Sequence, residues 1–158
     1  MTKGLKQEYT LKISRANKTE LVVILYEMLM IYVEEARTAY RENDKKGFRL
    51  GIQRARGCVS ELIASLHLEY ELAASLLQLY IYVNRELVRS DAKFTEEGLD
   101  NTRMVITGLH EVYSQVGVMD VSAPIMENVQ SIFAGLTYGK DNLVENMADQ
   151  GSNRGYYI

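Results

Sequence analysis

Two histidines, one cysteine and a scatter of carboxylates are the side chains of this 158-residue sequence best suited to chemistry. A di-iron helical bundle takes its metal through Glu-x-x-His pairs, yet Ala64 stands three residues before His67 and Thr107 three before His110. His110-Glu111 opens a zincin-like string, but Ser114 occupies the place of its second histidine. Gly135 to Lys140 (GLTYGK) has the outer residues of a phosphate loop. Only three residues separate its glycines, however, and Asp141 replaces the Ser or Thr that holds magnesium. Cys58 lies on an apolar helical face and reads as a buried structural thiol. A single cysteine forms no intrachain disulfide or cysteine-based zinc cluster, which suits a reducing compartment. The expectation is a chain that is not an enzyme and uses no cofactor and no metal.

One charge cluster invites a partner. Lys45, Lys46, Arg49, Arg54 and Arg56 fall within twelve residues that contain no acid. Such a segment can contact nucleic acid, or it can be a solvated face that pairs with acids of the following helices. A sequence pI near 5.5 favours the second reading, so no nucleic acid is expected. The formal net charge of −3 conceals an asymmetry: residues 1–60 are net +5 and residues 61–158 net −8.

The elements behind these residues are helices. One proline in 158 residues leaves helices uninterrupted. Asn17 followed by Glu20 has the form of a helix start, with an N-capping side chain and an acid in the first turn. Apolar residues then recur at three- and four-residue steps through four segments, about 17–42, 46–67, 70–90 and 95–116. Asn43-Asp44 breaks the first segment from the second, and Asp91 to Lys93 is expected to be a turn. Connections this short place consecutive helices side by side in opposite directions. The predicted fold is therefore all-α: an antiparallel up-down four-helix bundle (17–116), with an N-terminal arm (1–16) and a C-terminal extension (117–158). No secretory signal opens the sequence. The longest apolar run, Leu21 to Val33, has 13 residues interrupted by Glu27, short of a bilayer span, so no membrane insertion is expected.

That same run carries more apolar surface than a bundle helix needs. Twelve of its 13 residues are apolar, whereas one face in a bundle uses a stripe somewhat wider than 100°. Leu21, Leu25, Met28, Leu29, Tyr32 and Ala36 satisfy the core, which leaves Val22, Val23, Tyr26, Met30 and Ile31 facing something else. Either the arm or an extra helix covers them, or they form a groove for a partner. Eleven tyrosines fit such a surface, having an apolar body and a hydroxyl that tolerates water. The extension holds the lone proline, Pro124, and five of the eleven glycines. Ser122-Ala123-Pro124 has the form of a helix start, and Ile125, Val129, Ile132, Phe133 and Leu136 make a helical stripe. A fifth, amphipathic helix is expected at about 123–134, with a disordered end. Its stripe would dock on the partner groove, on a neighbouring subunit in a homo-oligomer, or on the bundle core.

The sequence resembles a known family at particular strings. An arm tyrosine is followed by T-E-L-x-x-x-L-Y (Thr19 to Tyr26), then by Ala36, Arg54-Ala55 and Glu61-Leu62. L-x-x-L-Y-x-Y-x-N-R-x-L, Leu76 to Leu87, is the most specific. Over roughly residues 9–116 the chain is similar to FliS, the flagellin-specific export chaperones. It departs in having Lys18-Thr19 for a usual Ser-Pro, Ile81 for a frequent aspartate, and no tryptophan near the end of the bundle, where Tyr113 is the nearest aromatic. The resemblance implies a cytoplasmic, non-enzymatic bundle that binds the C-terminal segment of flagellin in a hydrophobic groove. Covering that segment prevents premature polymerisation and keeps the subunit competent for type III export. It also implies contacts with the flagellar export gate and, in some bacteria, with a second flagellin regulator. The arm, which in the family lies by the groove, maps onto Tyr9 and Ile13. Val22, Tyr26, Met30 and Ile31 follow from the apolar surplus and Tyr82 from the motif, while Tyr80 is expected in the core and Asn84 and Arg85 as bundle-stabilising groups. The alternative is a helical-bundle adaptor or scaffold for another amphipathic helix.

Overall fold

A computed structural model describes residues 1–125, which form five helices and, among the described residues, no strand: α1 (Lys3–Arg15), α2 (Lys18–Arg41), α3 (Lys45–Ala64), α4 (Glu71–Lys93) and α5 (Glu97–Met119). α2 packs against α3 and α5, and α4 packs against the same two, so four helices close a ring with α2 and α4 on one diagonal. α1 lies outside that ring, packed on α2. Among the described residues no helix is long and apolar enough to cross a membrane.

The helix ends follow from local chemistry. Asn17 caps α2: its Oδ1 accepts the Glu20 amide at 2.9 Å, and the Glu20 carboxylate accepts the Asn17 amide at 3.0 Å. Asp44 caps α3 by accepting from the Gly47 amide at 2.9 Å, after Asn43 turns the chain in the left-handed region at φ 57°. α4 runs three residues beyond the expected end, so Asp91 to Lys93 is helix and the turn falls on Phe94. That residue caps α4 in the left-handed region at φ 51°, a conformation unfavourable for a bulky side chain. Its ring is held between Tyr40 and Phe48, at centroid distances of 4.9 and 5.0 Å, and the packing offsets the strain.

The arm is helical. Leu5, Tyr9 and Ile13 recur every fourth residue, and Tyr9 and Ile13 are buried against α2. A 13-residue helix is marginal alone in water, so α1 depends on this docking. Two close backbone approaches set the ring. A Cβ at Gly51 of α3 would lie 2.8 Å from the Ala36 Cβ and 2.9 Å from the Ala36 amide nitrogen of α2. One at Gly98 of α5 would collide with the Glu86 carbonyl and the Ser90 hydroxyl of α4. Gly51→Ala is therefore expected to cost about 1–3 kcal/mol by overpacking, read as a lowered midpoint in urea at unchanged slope.

Residues 123–125 are not helical, and the rest of the expected fifth helix lies outside the described residues, as do Val129, Ile132 and Phe133.

Candidate functional site: the surface of α2 beneath α1

α1 turns back at Ala16 and runs along α2 towards its C-terminal half. The terminal amine of Met1 pairs with Glu35, and the Tyr9 hydroxyl donates to Glu27 Oε2 at 3.0 Å. Lys12 Nζ lies 3.6 Å from the same oxygen, and His110 Nε2 of α5 lies 3.6 Å from Glu27 Oε1. The one acid in the apolar run is therefore the polar hub that ties α1 to the ring. Burial and the neighbouring Glu27 carboxylate push the Tyr9 phenol well above its ordinary range, so it stays a neutral donor. Tyr9→Phe keeps the ring and loses the donor. It is expected to weaken α1 docking by about 1 kcal/mol, seen as roughly fivefold faster amide exchange in α1 alone.

Two open clefts flank α1. The first, about 800 Å³, runs between α1, α2 and α3 and is lined by Tyr9, Met30, Ile31, Leu50 and Arg54 among others. The second, about 540 Å³, lies between α1, α2 and α5 and is lined by Leu11, Ala16, Val23, Ile24 and Val118, with Lys12, Arg15 and Glu20 among its polar residues.

The expected partner residues divide between places. Tyr9, Met30 and Ile31 come together at the first cleft, and Ile13 is fully buried on the underside of α1. Val22 and Tyr82 are half-buried against the core and line neither cleft. Tyr26 does not face outward. It is fully buried, its hydroxyl 2.5 Å from that of Tyr80 across the ring and its ring edge-on to Tyr113 at 5.7 Å. Burial pushes Tyr80 up to about 12 and Tyr26 higher still. A tyrosine pair satisfies its own hydroxyls in the core, which apolar counting along α2 alone does not show. Ile125 is half exposed, and its amide donates to the Ala16 carbonyl at 3.3 Å. Glu27 and Ile24 were the residues missed. A lone acid inside an apolar run is the available signal for the first.

The other chemical candidates have structural partners. Cys58 is fully buried, and desolvation pushes its thiol far up. Arg49 pairs with Asp91 at 3.2 Å, Arg54 with Glu35 at 3.7 Å, and Arg56 donates to Asn84 at 2.9 Å. The three arginines of the basic segment thus face acids of α2 and α4 and an amide of α4.

A family model described as Flagellar protein FliS matches residues 1–120. The chain belongs to the FliS family. That membership implies a flagellar export chaperone, and in this FliS-family chain the match extends across α1 as well as the four-helix ring. A comparison with curated proteins found no match.

The end of the matched region is fastened to the hinge between α1 and α2. Asp120 accepts from the Thr19 hydroxyl at 2.6 Å through its carboxylate, and from the Asn17 amide group at 3.0 Å through its carbonyl. Hydrogen bonds from Ser122 and Thr19 hold the Asp120 carboxyl down to about 2. A depressed pKa makes this fastening fully present above the unfolded value near 3.8 and lost as pH falls towards 2. Exchange at the hinge amides, corrected for intrinsic rate, should be flat between pH 5 and 8 and accelerate below pH 4. Asp120→Asn should flatten the acid limb.

Proposed function

We propose that this chain is a cytoplasmic flagellar export chaperone that binds the C-terminal segment of flagellin on the surface of α2, where α1 lies in the free protein. The arrangement of the ring is read as an up-down bundle, since the connections after α2, α3 and α4 are short. The observation that carries the binding reading is the way α1 is held. A helix of 13 residues, docked on α2 by Tyr9 and Ile13 and by one polar hub, covers an apolar surface without being part of the ring.

An amphipathic client helix fits such a surface by the helix-in-groove mode, anchoring at three- and four-residue steps. It would replace α1 and inherit the contacts to Met30 and Ile31. A client segment that folds as it binds loses about 2–5 kcal/mol to ordering, so it needs a long apolar contact, and the clefts on both sides of α1 extend the surface α1 covers. Shielding a segment that otherwise polymerises keeps the subunit monomeric for type III export. The export gate and a second flagellin regulator would meet the complex on other faces. Calorimetry of the full chain against a synthetic flagellin C-terminal peptide tests the reading: micromolar or tighter binding at one peptide per chain is expected, and no heat at tens of micromolar contradicts it.

A further inference from the structure

The cleft between α1, α2 and α5 has no occupant among the described residues, and the described chain ends at its rim. Ile125 donates its amide to the carbonyl of Ala16, and Ala16 is itself one of the lining residues. Asp120 fixes the approach by holding Asn17 and Thr19, two and four residues after the α1 end at Arg15. Thirty-three residues follow Ile125.

We propose that the occupant of this cleft is the stripe of Val129, Ile132 and Phe133 that continues the chain beyond the fastened Ile125, and that it straps α1 onto α2. Three matches support it. The first is length: Glu20 to Glu27, the span of α2 that lines the cleft, rises roughly 10 Å as helix, and a helix from Met126 to Phe133 would also rise roughly 10 Å. The second is chemistry. Leu11, Val23, Ile24 and Val118 line the cleft with apolar surface, its charged residues balance as Lys12 and Arg15 against Glu20 and Glu27, and residues 125–136 hold a single charge, Glu127. The third is tethering. A segment already fastened at Ala16 reaches the cleft at high effective concentration, whereas a second copy of the chain has no such anchor. Other exposed apolar positions, such as Leu72 and Ile81 on α4 and Met104 and Val112 on α5, have no described chain end hydrogen-bonded beside them.

The strap does more than fill space. By packing on Leu11 of α1 and Val23 of α2 together, it makes release of α1 depend on release of the tail. The inference holds for any client, because it concerns the closed state of the free protein. A peptide that fails to bind removes the function above and leaves the strap standing.

Cysteine pairs in the full-length protein test it, since Cys58 is buried and stays out of the exchange. Val23→Cys with Val129→Cys should oxidise to an intramolecular bridge in most molecules, identified by peptide mass, because bridging needs Cα atoms within about 7 Å. Met104→Cys, at an exposed position ten residues along α5 from the cleft-lining Ser114 and so roughly 15 Å away, should stay unlinked when paired with Val129→Cys. Equal linkage of both pairs, linkage only between two chains, or none at 23–129 overturns the proposal. As a second measurement, full-length Ile132→Asp/Phe133→Asp should speed amide exchange across Leu5 to Arg15 at least tenfold and leave Phe48 to Leu62 of α3 unchanged. No change in α1, or the same change in both helices, overturns it.

Discussion

Ile13→Asp is expected to free α1 from α2 and leave the ring intact. Ile13 is fully buried in the contact between the two helices, and burying an isoleucine side chain contributes about 1.5–3 kcal/mol. An aspartate there loses that contribution and adds the cost of desolvating a carboxylate without a partner. α1 escapes both by leaving, because it is not a member of the ring. With about 2–3 kcal/mol removed, the open population should rise roughly 30- to 150-fold. Amide exchange in Lys3 to Arg15 would approach the unprotected limit while α3 and α4 keep their protection. The client's apparent Kd is its intrinsic Kd divided by the fraction of open protein, so a flagellin C-terminal peptide should bind more tightly by the same factor until α1 is fully open. Tighter binding with unchanged thermal unfolding of the ring is the signature. Weaker binding, with the ring still folded, would mean that α1 contributes contacts to the client rather than competing with it.

Tyr26→Ala is expected to be the most damaging single change in α2. Truncating a fully buried aromatic costs about 3–5 kcal/mol, and here it also strands the buried Tyr80 hydroxyl, whose partner lies 2.5 Å away, for roughly 1–3 kcal/mol more. The edge-on contact with Tyr113 goes with it. A melting temperature lowered by more than about 10 °C is expected. Two further variants separate packing from hydrogen bonding. Tyr26→Phe alone should cost about 1–2 kcal/mol by leaving Tyr80 unpaired, and Tyr26→Phe/Tyr80→Phe should recover most of that loss, because replacing both partners leaves no orphan. A double variant as unstable as the sum of the singles would show that the hydroxyl pair does not act as a unit.

The same tyrosine marks where sequence reasoning succeeds and where it stops. The helices were legible because period and capping chemistry agree: the Asn17–Glu20 box and the break at Asn43-Asp44 stand where the residues place them. The end of α4 was not legible, since Phe94 terminates a helix in a conformation that glycine or asparagine usually supplies, and only the aromatic packing around it explains the choice. α1 was hidden for a different reason. Its stripe of Leu5, Tyr9 and Ile13 is one residue wide, because it joins the core from outside the ring by packing along one helix, α2. For the site, counting apolar residues along α2 placed Tyr26 in the outward surplus, but Tyr26 is consumed by the diagonal contact with α4, while Val23, Ile24 and Ile31 line the clefts. Glu27 was noticed only as an interruption, because a hub made of Tyr9, Lys12 and His110 gathers groups up to 101 positions apart at their extremes only once the helices are packed, as Thr19 and Asp120 also are.

Hydrogen exchange of the full chain, with and without a saturating flagellin C-terminal peptide, tests the central claim most directly. The claim is that the client takes the place of α1 on α2. The account predicts that peptide binding strips protection from Lys3 to Arg15 and preserves or raises it across Val22 to Ile31. Bound peptide with α1 still fully protected would contradict it.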